Sequence, residues 1–131
     1  MFDRNLLKPL ETVVFINDFR FVKKGTRAIF IQPDTDSGHS VALVALLDES
    51  SESFLKENGF NSVQEHIEHK RKHCIFGESQ WYNPFTTCKP YYADIVSKTQ
   101  LDKAESDIKS QIEKLQNNLS AITEYKDFIF L

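Results

Sequence analysis

Apolar residues recur between Leu101 and Ile122 at Leu101, Ala104, Ile108, Ile112, Leu115, Leu119 and Ile122, in steps of three and four that are helical throughout. Ser97 and Gln100 stand at capping-box spacing just before this run, and no Gly or Pro interrupts it. The spacing predicts a helix of about six to seven turns with one apolar stripe. Two coverings fit such a stripe. A helix lying across its own sheet satisfies it, and so does a coiled coil with a local stutter near the start. The first is preferred, with a dimer contact at one end of the long helix, so that a homodimer through this helix is a possible assembly.

The first third of the chain reads differently. Thr12 to Ile16 is β-branched and aromatic, Asn17-Asp18 marks a turn, and Phe19 to Val22 extends the pairing beyond it. Thr26 to Gln32 is a second strand, stopped by Pro33, and the nearly unbroken apolar run Ser40 to Leu47 is a third. Asp48 to Ser51 carries N-cap chemistry for a short helix ending at Gly59, where a left-handed cap wants glycine. Ser62 and Glu65 then open a middle helix that runs to about Cys74. Residues 78–96 are irregular, broken by Pro84 and Pro90, with a fourth strand over Tyr91 to Val96. Phe128 to Leu131 ends the chain as an apolar segment expected to pack on the sheet.

These elements predict an α+β fold in one domain, residues 1–131, β-rich over 1–48 and helix-rich over 49–131. An N-terminal antiparallel β-meander, closing into a small SH3-like barrel, packs with the middle helix and the long C-terminal helix. The 131 residues suffice for one modest core. No stretch has the length of a membrane span or the core of a signal peptide, so the expected setting is soluble and cytoplasmic, with no membrane partner. Cys74 and Cys88 are compatible with a disulfide or with two free thiols.

Charge changes the picture by exclusion. The chain carries 16 Lys and Arg against 19 Asp and Glu, a net charge of −3. Its one basic run, Lys70-Arg71-Lys72, follows Glu65 and Glu68 and reads as a solvated helix face. Nucleic acid is therefore a disfavoured partner. Eleven Phe residues are more than a core of this size needs, which places some of them at a contact surface.

Candidate chemistry is sparse. His66, His69 and His73 lie within about 60° on one side of an ideal helix, and zinc is the metal such imidazoles would hold, with Cys88 as an added ligand. Spacing of this kind, without a paired knuckle, belongs more often to a solvated His-rich flank. Trp81, Tyr82, Phe85, Tyr91 and Tyr92 crowd one segment and form the candidate partner-binding surface, because rigid aromatics carry contact energy at low entropic cost. No phosphate-binding loop, nucleophile elbow or HExxH motif occurs, and no catalytic residue is assigned.

Gly59-Phe60-Asn61-Ser62-Val63-Gln64-Glu65 is similar to a short stretch of ASCH domains, small PUA-like barrels linked to RNA. The likeness covers those residues alone, carries no functional residue over, and lacks the basic N-terminal segment of that family. The leading expectation is a non-enzymatic protein-interaction module, an inhibitor or adaptor of the kind phages and mobile elements encode. A nucleic-acid or nucleotide-binding barrel and a metal-dependent enzyme built on the three histidines are the alternatives.

Overall fold

The computed structural model describes residues 2–34, 38, 40–73 and 85–128. Five strands, β1 (Thr12–Phe15), β2 (Arg27–Pro33), β3 (Ala42–Leu46), β4 (Thr87–Cys88) and β5 (Ile95–Ser97), form one antiparallel sheet in the order β4-β3-β2-β1-β5. The three predicted strands stand where the β-branched runs placed them. The fourth is shorter than expected, because Tyr92–Asp94 forms a 3-10 turn before Ile95. The sheet is open, so the SH3-like barrel is not the fold. Its edge strands, β4 and β5, have two and three residues, too little edge to complete a closed barrel.

Both faces of the sheet are buried, which explains the unbroken apolar run of β3. Ala42, Val44 and Leu46 point to one face with Ala28, Phe30, Val13, Phe15 and Ile95. Leu43 and Ala45 point to the other, with Ile29 and Ile31. Alternation along β3 and through the middle of β2 thus serves two cores, and the exposed positions of β2, Arg27 and Pro33, stand at its ends.

The second core is closed by α1 (Glu49–Asn58) and α2 (Val63–His73), from which Phe54, Leu55, Val63 and Ile67 reach the sheet. Asp48 caps α1 reciprocally: its carboxylate accepts from Ser51 N at 2.8 Å, and Ser51 Oγ accepts from Asp48 N at 3.0 Å. Gly59 ends α1 at φ 74°, as the glycine position predicted. At the start of α2, Ser62 Oγ accepts from Glu65 N, and the Glu65 carboxylate reaches back to Asn61 N. The first core is covered by the N-terminal segment, the turn after β1 and the 3-10 turn before β5, through Leu7, Phe19 and Tyr92 respectively.

The long helix α3 (Lys98–Tyr125) follows β5 without an intervening residue. Ser97 is at once the last strand residue and the helix cap. Ser97 N donates to Gln100 Oε1 at 2.8 Å, and Gln100 N donates to Ser97 Oγ at 3.2 Å. Gln100 Nε2 also donates to the Asp3 carbonyl at 3.0 Å, tying the helix start to the N-terminal segment. Beyond that turn the expected packing across the sheet does not occur. Both sheet faces are already occupied, and the direct β5–α3 junction leaves no turn by which the helix can fold back. The helix extends about 42 Å with its stripe in solvent. Phe128 likewise does not pack on the sheet; it is exposed and meets Tyr125, with ring centroids 5.4 Å apart. Residues 129–131 lie outside the described residues. Among the described residues, no helix is long and apolar enough to cross a membrane.

Candidate functional site

The largest exposed apolar feature among the described residues runs along α3. Leu101, Ile108, Ile112, Leu115, Leu119, Ile122 and Tyr125 are each between 43% and 66% exposed, on adjoining turns of one helix face. Ala104, counted into the stripe from spacing, is half-buried near the start of α3 and is not among its exposed residues. Along the same helix, Lys103 meets Asp107 and Glu105 meets Lys109 at 2.7 Å, both at i, i+4 spacing. The Glu105 carboxyl is lowered by its hydrogen bond from Lys109, and the Lys109 ammonium is raised by the same contact. Helix formation is thus satisfied locally, while the apolar face stays exposed among the described residues.

Of the aromatic candidates, Phe85, Tyr91 and Tyr92 are described, and these three do not share one surface. Trp81 and Tyr82 lie outside the described residues. Phe85 is buried in the second core, its ring edge-on to Phe54 at 5.5 Å and to His66 at 5.1 Å. Tyr92 packs on the opposite face of the sheet, with the Arg4 guanidinium 4.7 Å above its ring, between two shallow depressions that share Arg4 and Tyr92. Tyr91 is exposed and meets Phe19 edge-on at 6.1 Å.

A feature missed in the sequence adjoins Tyr91. Phe19 and Val22 exchange two backbone hydrogen bonds, at 2.8 and 2.9 Å, across the pair Arg20-Phe21. Arg20 sits at φ 52°, a left-handed conformation that costs a non-glycine residue roughly 1 kcal/mol. The turn holds Phe21 out into solvent, 67% exposed. No glycine or asparagine at position 20 announces this turn, so residue preferences did not reveal it.

Of the three histidines, His66 and His69 are divided as well. His66 is 3% exposed, boxed by the rings of Phe54, Phe60 and Phe85 at centroid distances of 4.8–5.1 Å, all nearly perpendicular. Among the described residues its Nδ1 has no hydrogen-bond partner. Burial, and then Lys70 and His69 nearby, hold the imidazole below its ordinary pKa, so it is neutral at pH 7. His69 is exposed, at 5.6 Å from the Phe60 ring. The His73 side chain and Cys74 lie outside the described residues. Among the described residues no three His, Cys, Asp or Glu side chains gather around a point where a metal would sit. Cys88 is a free thiol, pushed up to about 11 by burial against a weaker opposing effect of Arg20. A thiol protonated at neutral pH is a poor nucleophile. The basic run is partly neutralised, since Arg71 pairs with Glu68 at 3.3 Å.

The chain matches no protein-family model, no curated protein and no solved structure.

Proposed function

We propose that this chain is a non-enzymatic protein-interaction module that engages a helical protein partner through the apolar face of α3. The observation carrying this reading is the exposure of seven large apolar side chains on one face of a helix otherwise stabilised by its own caps and charge pairs. Soluble proteins seldom leave a contiguous apolar patch of this extent uncovered, and such patches mark contact sites. Helix-in-groove and helix-on-helix recognition read anchors at this spacing. An acidic net charge suits a protein partner better than a nucleic acid. The sheet and its two cores act as the platform that fixes one end of the helix. The size of the chain and the absence of a recognisable catalytic motif suit an adaptor or inhibitor.

A photo-crosslinking residue in place of Leu115, introduced into the full chain in the cells that make it, tests the reading. A protein adduct is expected at position 115 and not at Asn117, which lies on the opposite side of the helix. Equal yields at both positions, or no protein adduct at 115, would overturn it.

A further inference from the structure

We infer that the occupant of the α3 stripe is the α3 helix of a second copy of this chain, running antiparallel to the first. The inference rests on the interaction reading above and names its partner. Leaving aside the half-buried Ala104, six of the seven exposed residues fall on a heptad repeat, with Tyr125 on its flank and a charged residue at each end of the second seam. Leu101, Ile108, Leu115 and Ile122 recur every seventh position, and Glu105, Ile112, Leu119 and Lys126 form the second seam. Two such seams at a mean spacing of 3.5 residues are what a left-handed two-helix coil requires. No stutter is then needed.

Area and charge both favour a like partner. The six exposed seam side chains and the flanking Tyr125 offer at most on the order of 700 Å² per copy, near the about 800 Å² each partner contributes to a standard specific interface. The flanks of the central layers are Gln111, Gln116, Asn118 and Thr123, all uncharged, so a second copy meets no like charge there. Nor do these flanks display the one-signed charge that would select an oppositely charged helix.

Direction follows from the two charged seam positions. Parallel pairing sets Glu105 against Glu105 and Lys126 against Lys126. Antiparallel pairing sets Ile112 opposite Leu115 of the second copy and Ile108 opposite its Leu119. Glu105 then faces the Ile122 of that copy, with its Lys126 one turn beyond, so unlike charges approach and the helix dipoles oppose. The direct junction at Ser97–Lys98 also keeps the two sheets at opposite ends of the coil instead of crowding them together.

Sedimentation equilibrium on the purified full chain at about 100 µM should give twice the 15.2 kDa of one chain. Leu115→Lys, at an exposed position that leaves the monomer fold intact by circular dichroism, should weaken the dimer by about 100-fold or more. Direction is read in a Cys74→Ser, Cys88→Ser background by mixing Glu105→Cys chains with Ile122→Cys chains under mild oxidation. Antiparallel pairing yields the mixed disulfide, whereas Ile122→Cys joined to itself would establish parallel pairing and overturn the inference. A monomer at that concentration would also overturn it. If the crosslinker at position 115 still captures a different protein, the interaction reading survives without the second copy; if it captures nothing, both fall.

Discussion

Removing the Gln100 side chain should destabilise the fold more than removing its capping partner, Ser97. Gln100 is 2% exposed and uses both ends of its amide, accepting from Ser97 N at 2.8 Å and donating to the Asp3 carbonyl at 3.0 Å. In Gln100→Ala the Ser97 N–H is left buried without a partner, which costs about 1–3 kcal/mol. The Asp3 carbonyl lies nearer the surface and recovers part of its loss from water. Together these give about 2–3 kcal/mol. Ser97→Ala likewise leaves a buried amide, Gln100 N, without its acceptor, but it loses only that one longer bond, about 1–2 kcal/mol. Urea denaturation followed by far-ultraviolet circular dichroism, at one fixed protein concentration, measures both, with exposed Glu113→Ala as reference. If Gln100→Ala costs no more than the reference, or less than Ser97→Ala, the junction is not held as described. The strand-to-helix turn would then owe its geometry to packing alone.

Three other perturbations probe separate parts of the structure. Ile67→Ala removes a fully buried side chain between α2 and the sheet and should cost about 2–5 kcal/mol by denaturation; under 1 kcal/mol would mean that α2 is not closing the second core. His66 has its folded pKa below the unfolded 6.5, so the unfolded chain takes up the proton first. The stability it contributes is therefore complete above about pH 6.5 and is lost as pH falls from there toward the folded pKa. The urea midpoint should drop between about pH 7.5 and 5.5, and His66→Phe, which cannot titrate, should show a smaller drop. An equal drop in both would remove His66 as the cause. Cys88 in the Cys74→Ser chain should react with iodoacetamide only slowly at about pH 8 and faster on unfolding, because its thiol titrates near 11.

The elements that residue preference and periodicity specify were legible in the chain. β-branched runs located β1 to β3, the caps at Asp48, Ser62 and Ser97 located the helix starts, and Gly59 located a helix end. The strand β4 was not legible, since Thr87-Cys88 has two residues and no alternation to read. Closure into a barrel was misjudged because it depends on the length of the edge strands. The position of α3 was misjudged for a related reason. Periodicity gives the direction of an apolar face, but what covers it depends on whether the sheet faces are already taken. The histidines show the same limit: one helical turn separates His66 in its box from His69 in solvent. That box is built from α1, the α1–α2 turn and Phe85, residues that no local pattern connects.

Hydrogen exchange along α3 tests most directly the claim that its apolar face is an interface. An uncovered helix in water opens readily, whereas one buried along its stripe exchanges only when the contact breaks. In the purified protein at about 100 µM, the amides of residues 108–122 should be strongly protected, and Leu115→Lys should abolish that protection while leaving β1, β2 and β3 unchanged. Weak protection in the unmodified chain, equal to that of the variant, would contradict the account.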